Sequence, residues 1–323
     1  MRNWFYDKEI WSSYKIPGKS IVVGNLSVGG TGKTPHVDFI SKLLIGENYK
    51  VAILSRGYGR ETTGVKEVEV NSTANEVGDE PLFYKLKYKE KIKVVVAEER
   101  KLGVEYIQNK YNENEVIVLD DAFQHRAIKA ELNILISDYS RPFYSDFVLP
   151  AGNLREKRSG KKRANIIIIS KCPSNITLEK KKEIQSKINL PSAEIFFSKI
   201  EYGALKPFRR TSDEKYKNIL LVTGIGNPKP LVDFLKENHN VEHLRFKDHH
   251  TFTSTDIAKI HQKFNIFADG DKIIVTTEKD FMRLQDFKEC NSDNYPWFYQ
   301  PIITTISEQQ KFNNYINRYV RKI

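Results

Sequence analysis

The sequence has little cysteine and no long apolar run. Only two cysteines, Cys172 and Cys290, occur among 323 residues, which excludes a disulfide framework and favours a reducing compartment. The longest apolar runs are short pieces such as Ile166–Ile169, far below the roughly 20 residues that a membrane-spanning helix needs. The N-terminal residues do not show the positively charged segment followed by an apolar stretch that is typical of a secretory signal peptide. We therefore expect a cytoplasmic protein.

Acidic residues are fewer than basic ones, and the formal net charge is +11. Such a balance is typical of proteins that meet nucleic acid, anionic membrane surfaces or phosphorylated substrates, but it also serves plain solubility. The hydrophobic fraction of 40% is enough for a core, and the length suits two domains or one large one. Composition alone leaves these alternatives open.

The most informative stretch is Ile21–Pro35, in which an apolar run is followed by a glycine-rich turn. An amphipathic pattern comes next, with Val37, Ile40 and Leu44 on one helical face. Strand, glycine loop and helix are the context of a P-loop, where backbone N–H groups and a helix N-terminus surround phosphate. The common pattern has glycine where this chain has Ser27, so a glycine turn without nucleotide is the alternative. The predicted ATP-binding residues are Gly29, Gly30, Thr31, Gly32, Lys33 and Thr34.

Two carboxylates follow a second apolar run. Val116–Leu119 leads directly into Asp120 and Asp121, and an acid at a strand end near a P-loop positions Mg²⁺ opposite the phosphates. Thr34 would supply a hydroxyl to the same ion. The alternative is that the two aspartates cap the next helix.

Short runs rich in valine and isoleucine alternate with helical patterns along most of the chain. This alternation predicts an α/β fold of the P-loop NTPase type, with a mainly parallel sheet covered by helices and a second, smaller α/β domain. The strand candidates are Ser20–Val23, Val51–Leu54, Ile92–Ala97, Val116–Leu119, Leu132–Ile136, Ile166–Ile169, Ile219–Val222 and Ile273–Thr277.

A charged, weakly apolar segment near residues 174–215 predicts the boundary between the two domains. We expect a kinase-like core at 1–210, with a short N-terminal segment that faces a membrane. The smaller domain is expected at 211–323, with its last helix returning to the core. In the N-terminal segment, aromatic and basic residues alternate, which suits a membrane interface or a helix docked on the protein itself.

Other motifs admit two interpretations each. Asp79 precedes a helical pattern, so it is either the cap of that helix or a general base near the γ-phosphate. Arg56 and Arg60 either bind phosphate or lie in a solvated turn. The basic residues within 157–163 suit an anionic substrate, a membrane surface or a solvated loop. The histidines at 249–250 are either partners of a carboxylate base or surface residues.

Taken together, these motifs resemble the tetraacyldisaccharide 4′-kinase family of lipid A biosynthesis. They follow the family order over about residues 20–285. The matching segments are Val23–Pro35, Ser55–Arg60, Gly78–Pro81, Leu119–Arg126, Leu149–Glu156, Thr223–Ile225, Phe246–His250 and Thr277–Asp280. The family loop carries Ser or Thr at position 27, so Ser27 agrees with it.

The resemblance implies transfer of the γ-phosphate of ATP to the 4′-hydroxyl of a tetraacylated glucosamine disaccharide 1-phosphate, giving lipid IV-A. It makes Asp79 the base, His249 its partner and Lys33 the residue that stabilises the transferring charge. Mg²⁺ would lie on Thr34 with Asp120 or Asp121. The residues implied to line the acceptor site are Glu80, Arg100, Gln124, His125, Arg155 and Glu156.

The resemblance also implies a peripheral protein at the cytoplasmic face of the bacterial inner membrane. Its partners would be the acylated glucosamine disaccharide 1-phosphate and an anionic membrane surface, with no nucleic acid and no obligate protein partner. Family members commonly carry a longer apolar segment ahead of the first strand than the roughly twenty residues found here, which leaves the strength of membrane attachment open.

Three rival functions remain at the sequence level. A regulatory GTPase needs a guanine-reading Asn-Lys-x-Asp motif, and Ser170–Pro173 lacks the aspartate. An ATPase that depends on nucleic acid would be stimulated by DNA or RNA. A kinase with a water-soluble acceptor would prefer soluble sugars to a lipid dispersed in detergent.

Overall fold

The computed structural model describes residues 2–111, 116–209, 216–248, 250–267, 270–292 and 294–321. The chain divides into two compact units, the first comprising residues 1–201 and 304–323 and the second residues 202–303. The expected boundary at residue 211 lies nine residues beyond the start of the second unit. The C-terminal helix belongs to the first unit.

The strands of the first unit form a nine-stranded sheet with the order β16-β10-β9-β8-β2-β6-β3-β5-β4. Adjacent strands from β10 to β5 pair in parallel, and β4 pairs antiparallel to β5. A separate two-stranded sheet joins β1 to β7. The strands are β1 (Tyr14–Lys15), β2 (Ser20–Asn25), β3 (Val51–Ser55), β4 (Lys66–Glu67), β5 (Ile92–Val96), β6 (Val116–Asp120), β7 (Ile128–Lys129), β8 (Leu132–Asp138), β9 (Ile166–Ser170), β10 (Glu194–Tyr202) and β16 (Ile302–Ile306).

The helices of the first unit lie between strands along the chain, except for the first helix, which precedes all of the strands, and the last helix, which follows them. They are α1 (Arg2–Asp7), α2 (Lys33–Gly46), α3 (Ala74–Val77), α4 (Asp79–Tyr88), α5 (Arg100–Lys110), α6 (Leu178–Ile188) and α10 (Gln309–Arg321). Strands β2, β3, β6 and β9 are buried at every position, as expected for parallel strands covered on both faces. The predicted fold class is confirmed for this unit.

Strand β2 lies between β8 and β6, although the next strand in the chain, β3, pairs on the far side of β6. This arrangement brings the carboxyl ends of β2 and β6 side by side, with Val23 opposite Asp120. Ligands of open parallel sheets bind at such points, where the strand order reverses. The P-loop after β2 and the aspartates after β6 therefore lie at one edge.

Helix α2 begins directly after the glycine loop. Its N-cap, Gly32, has φ 91°, a left-handed conformation that glycine adopts without strain. The predicted apolar face is confirmed, because Val37, Ile40 and Leu44 are all fully buried. Pro35 lies in the first turn, where a missing N–H costs no helical hydrogen bond.

The second unit contains a five-stranded sheet with the order β11-β15-β14-β12-β13. Among the described strands of this sheet, only β11 pairs antiparallel. Alternate residues of β12 and β14 face opposite sides, so α7 covers one face and α8 the other. The elements are β11 (Lys206–Pro207), β12 (Asn218–Thr223), α7 (Lys229–Lys236), β13 (Asn240–Arg245), α8 (Ser254–Ile266), β14 (Lys272–Thr277), α9 (Glu278–Leu284) and β15 (Trp297–Gln300).

The segment near 174–215, read from sequence as a charged boundary, contains helix α6 and strand β10 of the main sheet. Helix α6 buries Ile184 and Ile188. Its apolar face is therefore narrow, and the many charged residues around it made the segment look like a boundary in the sequence. Strand β10 pairs in parallel with β9 through Glu194–Phe197. Among the described residues, no helix is both long and apolar enough to cross a membrane.

Candidate active site

Two consecutive residues hold the P-loop from behind: Ser170, the last residue of strand β9, and Lys171, which follows it. Ser170 Oγ donates to the carbonyl of Thr31 at 2.7 Å, and Lys171 Nζ donates to the carbonyl of Gly30. The C=O and N–H groups of one trans peptide point in opposite directions. The N–H of Gly32 therefore points away from Ser170, which leaves it available for an anion on the other side of the loop.

His36 performs the same task for the next carbonyl. Its Nδ1 lies 2.6 Å from the oxygen of Gly32, and its Nε2 lies 2.8 Å from Ser198 Oγ. A carbonyl can only accept, so Nδ1 carries the proton and Nε2 accepts from the serine hydroxyl. Burial lowers the pKa of His36 to about 4, so the ring is neutral at pH 7.

Lys33, the P-loop lysine, faces Asp121. Its Nζ lies 3.5 Å from Asp121 Oδ1, and the lysine side chain is only 12% exposed. Arg155 Nη1 approaches both oxygens of the same carboxylate at 3.2 Å. Asp121 itself has φ 48°, a conformation that is uncommon outside glycine and is enriched at functional positions. Two cations thus converge on one carboxylate beside the phosphate cradle.

Helix α4 contacts the P-loop through Glu80, whose Oε1 accepts a hydrogen bond of 3.0 Å from Thr34 Oγ1. Asp79 is the neighbouring residue and is half-buried. The structure excludes the cap interpretation of Asp79, because Gly78 is the N-cap and Asp79 is the first helical residue. Gly78 has φ 90°, and a Cβ there would lie 3.0 Å from the carbonyl oxygen of Tyr58.

Asp120 is the most perturbed acid of the site. It is 1% exposed, Oδ2 accepts from Tyr84 OH at 3.0 Å, and Oδ1 has no hydrogen-bond partner among the described residues. Burial, together with the nearby charges of Glu80 and Asp121, raises the pKa of Asp120 to about 7. A buried carboxylate oxygen without a partner is costly unless a cation or donor meets it.

Arg100 supports the ends of two strands. Its Nη1 donates to the carbonyl of Ala97 at 2.6 Å and its Nη2 to the carbonyl of Asp120 at 3.3 Å. Burial lowers the pKa of the guanidinium to about 10 despite nearby carboxylates. The guanidinium therefore stays charged and braces the backbone that carries Asp120, while its contact with an acceptor remains a prediction.

Gln124 and Glu156 lie in one polar network. Gln124 Nε2 donates to the carbonyl of Asn25, at the end of β2, and lies 3.4 Å from Glu156 Oε1. The buried Glu156 carboxylate accepts two hydrogen bonds from Arg163, at 2.6 and 3.0 Å. A third donor is Asn3 Nδ2 of helix α1, at 2.8 Å. His125 follows Gln124 in the loop after β6.

Arg60 and His250, for each of which the sequence allowed two interpretations, have side-chain partners in the structure. The Arg60 side chain is 2% exposed and pairs with Glu98, so it is neither a solvated turn residue nor open to phosphate. In the second unit, His250 Nε2 lies 3.0 Å from Asp256 Oδ2, and its ring packs on Phe246 with centroids 4.7 Å apart. His249 lies outside the described residues, so its role remains a prediction.

Sequence reasoning missed the residues that position the site. For Tyr84 a signal existed, because it follows Glu80 by four residues and lies on the same face of helix α4. Ser170 and Lys171 carry no local signal, since only the pairing of β8 with β9 and β2 brings them to the P-loop. His36 was hidden within the expected core face of α2.

A family model agrees with this site. The model described as tetraacyldisaccharide-1-P 4′-kinase matches residues 1–321. A curated tetraacyldisaccharide 4′-kinase from Flavobacterium johnsoniae is 42% identical, and the match covers 100% of this chain and 93% of the relative. Another, from Phocaeicola vulgatus, is 40% identical over 100% of this chain and 91% of its own length.

The solved structures agree as well. LpxK from Aquifex aeolicus, crystallised in complex with ATP, is 28% identical and superposes with a TM-score of 0.75. The match covers 99% of this chain and 94% of that one. The fold, the P-loop and the full-length matches lead to one conclusion: the chain belongs to the tetraacyldisaccharide 4′-kinase family, which phosphorylates the 4′ position of the disaccharide in lipid A biosynthesis.

Proposed function

We propose that the chain carries out this family reaction with Asp79 as general base, His249 as its partner and Lys33 as the group that neutralises the transferring phosphoryl charge. The donor would be ATP and the acceptor a tetraacylated glucosamine disaccharide 1-phosphate at the cytoplasmic face of the inner membrane. The product would be lipid IV-A. The observation that carries the proposal is the convergence of Lys33, Thr34 and Asp120 at one sheet edge.

The proposed chemical step is a direct transfer of the γ-phosphoryl group from ATP to the acceptor. The 4′-oxygen of the acceptor attacks the γ-phosphorus while Asp79 takes the hydroxyl proton, and the bond from phosphorus to the β,γ-bridging oxygen breaks as ADP leaves. Lys33 moves from Asp121 towards the phosphate oxygens, whose spread charge it stabilises. Asp121, still paired with Arg155, would keep the site from carrying an excess of positive charge before ATP binds.

Mg²⁺ fits the donor set beside the P-loop. The ion prefers hard oxygen ligands and usually takes one or two carboxylates together with substrate phosphates. Thr34 Oγ1 and Asp120 Oδ1 are such oxygens, and the latter has no hydrogen-bond partner among the described residues. The described residues contain no group of three or more His, Cys, Asp or Glu side chains that could hold a metal. When bound, the ion would neutralise charge on the β- and γ-phosphates.

The decisive assay incubates the protein with ATP, Mg²⁺ and the tetraacylated disaccharide 1-phosphate in detergent. We expect a mass gain of one phosphate and a product phosphorylated at the 4′ position. Water-soluble sugars serve as control acceptors. Turnover that prefers them to the lipid, or that requires GTP, would overturn the proposed substrate or donor.

The base is tested by Asp79→Ala. We expect turnover to fall by roughly 10²–10⁴-fold, the usual contribution of general-base catalysis, with little change in ATP affinity. Glu105→Ala is the matched control, because Glu105 is an acid with a 39% exposed side chain that pairs with Lys101 of the same helix, α5, at 3.7 Å. Wild-type turnover in Asp79→Ala would assign the proton transfer to another group.

A further inference from the structure

Three apolar side chains in succession are exposed near the P-loop. Phe147 is 64% exposed, Val148 38% and Leu149 51%. We name Phe147–Leu149 the apolar loop. Single exposed apolar residues are normal on protein surfaces, but a contiguous group marks an interaction site.

Hydrogen bonds to the backbone hold the apolar loop in its exposed position, so its exposure does not come from a loosely held segment. Asp146 Oδ1 accepts from the N–H groups of Phe147 at 2.7 Å and Asn153 at 3.1 Å. Leu149 N donates to the carbonyl of Leu154, and Leu154 N donates to the carbonyl of Phe147. A Cβ at Gly152 would lie 2.3 Å from Asp146 Oδ1. The loop is therefore a closed, hydrogen-bonded projection.

Basic residues lie on both sides of the apolar loop along the chain. Residues 141–163 contain seven basic and two acidic side chains, a net charge of +5. Both acids are satisfied internally, since Asp146 closes the loop and Glu156 is paired with Arg163. The exposed cations are Arg141, Arg155, Lys157, Arg158 and Lys162. Arg155 is paired with Asp121 at 3.2 Å, but the apolar side chains together with the other exposed cations match the chemistry of an anionic bilayer surface.

The apolar loop is tied to the catalytic edge by the backbone. Val28 N donates to the carbonyl of Asn153 at 2.7 Å, and Arg155 N donates to the carbonyl of Leu26 at 2.7 Å. Helix α1, with Trp4 53% exposed, joins the same segment through the Asn3–Glu156 hydrogen bond. A surface that contacts the apolar loop would thus lie next to the P-loop.

We propose that the apolar loop inserts into the headgroup and acyl boundary of an anionic bilayer, with the surrounding cations on the lipid phosphates. This inference rests on the proposed function, because a membrane-borne acceptor needs the P-loop edge to be held at the bilayer. The +5 segment favours lipid over an apolar protein partner, since anionic headgroups supply countercharge for the exposed cations other than Arg155, which is paired with Asp121.

Co-sedimentation with vesicles of equal parts phosphatidylcholine and phosphatidylglycerol tests the proposal. For the double variant Phe147→Ser/Leu149→Ser we expect roughly tenfold or greater loss of vesicle affinity, because two large apolar side chains no longer leave water. The matched control is Leu178→Ser, since Leu178 is 62% exposed in the same unit but lies outside the basic segment. Equal binding of wild type, control and double variant would overturn the proposal.

The electrostatic part has its own variant. Lys157→Ser/Lys162→Ser should weaken binding to the same vesicles by about fivefold for each basic side chain removed. Added salt should weaken wild-type binding in the same direction. Equal binding to vesicles of pure phosphatidylcholine would contradict an anionic bilayer as the partner. A protein from a lysate that binds the apolar loop in place of lipid would contradict it as well.

Insertion depth is measured with an environment-sensitive fluorophore on Leu149→Cys. Labelling is selective because the native Cys172 and Cys290 are both buried. We expect a blue shift on adding anionic vesicles, and none for the label on Leu178→Cys. An unshifted spectrum at position 149 in vesicle-bound protein would show that the loop stays in water and would overturn insertion.

A detergent assay separates this inference from the proposed function. With the acceptor dispersed in detergent, Phe147→Ser/Leu149→Ser should keep phosphorylating at near the wild-type rate, because no bilayer has to be engaged. With the acceptor embedded in vesicles, its rate should fall in step with vesicle affinity. Failure of the wild type to phosphorylate in detergent would refute the kinase assignment, whereas equal rates on vesicles would refute only the insertion.

Discussion

Two buried aspartates, one in each unit of the chain, lie at the carboxyl ends of parallel strands. Asp120 ends β6 and is 1% exposed, whereas Asp280 lies just after β14 and is 0% exposed. Burial raises the pKa of both carboxyl groups. By sequence they resemble each other, since each follows an apolar run within a motif shared with the family. Their surroundings, however, differ.

The Asp280 carboxylate joins two strand ends. Its Oδ2 accepts from Gly224 N at 2.9 Å and from Thr277 Oγ1 at 2.7 Å, so it links the turn after β12 to the start of α9. Asp120 receives one tyrosine hydroxyl and faces Glu80, Asp121 and Lys33 instead. Oδ1 of Asp280, like Oδ1 of Asp120, has no hydrogen-bond partner among the described residues, but Arg283 Nη1 lies 3.9 Å from it. Two fixed donors on one oxygen and a cation beside the other indicate a structural role for Asp280. Asp120 has one donor and two neighbouring acids, so its charge is left to be balanced by a ligand, which indicates chemistry.

The largest effect we expect from this comparison is on activity. Asp120→Asn should lower turnover by roughly 10²–10³-fold, the usual cost of removing one electrostatic group from a transition state. It should not lower the free energy of unfolding, because an amide costs less to bury than a carboxylate without full pairing. Steady-state kinetics at saturating Mg²⁺ and urea unfolding measure the two quantities.

Tyr84→Phe serves as the control for Asp120→Asn. It removes the hydroxyl donor to Asp120 Oδ2 but leaves the charge, so we expect a smaller loss of turnover and some loss of stability. If Asp120→Asn kept wild-type turnover, or if it destabilised the protein as much as a lost core contact does, the distinction between the two aspartates would be wrong.

For Asp280 we expect a substitution to lower the stability of the fold. Asp280→Ala leaves the N–H of Gly224 and the hydroxyl of Thr277 buried without an acceptor, so the free energy of unfolding should fall by about 2–4 kcal/mol. Trp297 reports on this unit, because it is 2% exposed while Trp4 and Trp11 are already half exposed. Its fluorescence in a urea titration measures the loss.

Asp233→Ala is the matched control, since Asp233 lies in the same unit, is 63% exposed and pairs only loosely with Lys229 at 3.6 Å. We expect a change within about 0.5 kcal/mol. Equal midpoints for Asp280→Ala and Asp233→Ala would remove the structural role given to Asp280.

Much of the fold could be predicted from residues 20–140 because the signals there are local. The Val- and Ile-rich run of β2, the glycines after it and the 3.6-residue spacing of α2 agree with one another, and the structure follows them. Helix α6 and strand β10 were missed for a physical reason. Each has a mostly charged or mixed surface, and only the main sheet shows which few residues are buried.

The residues of the site also fall into two groups, those that the sequence could predict and those that it could not. Lys33, Thr34 and Asp120 follow directly from strand, loop and helix order, and the structure brings them together. The sequence could not predict the roles of three residues that hold backbone carbonyls of the P-loop. Ser170 and Lys171 are more than a hundred residues away from the carbonyls that they hold, and His36 holds the carbonyl one helical turn before it. Sequence patterns identify groups that meet a ligand more readily than groups that position them.

The smallest effect concerns the histidine behind the P-loop. The pKa of His36 is lowered from 6.5 to about 4 by burial, so the folded state binds a proton less readily than the unfolded chain. Its contribution to stability is therefore complete above pH 6.5 and is lost as the pH falls towards 4. We expect a loss of about 1–2 kcal/mol at pH 5 relative to pH 8, measured by urea unfolding at both values.

His36→Gln isolates this contribution, because glutamine retains a donor and an acceptor but does not titrate in this range. The variant should unfold more easily than the wild type at pH 8 and should show a shallower decline towards pH 5. Its KM for ATP should rise, since the Gly32 carbonyl is held less firmly, while Ser198→Ala should raise KM less. Parallel pH dependences of wild type and His36→Gln would show that the buried ring does not couple proton binding to the P-loop.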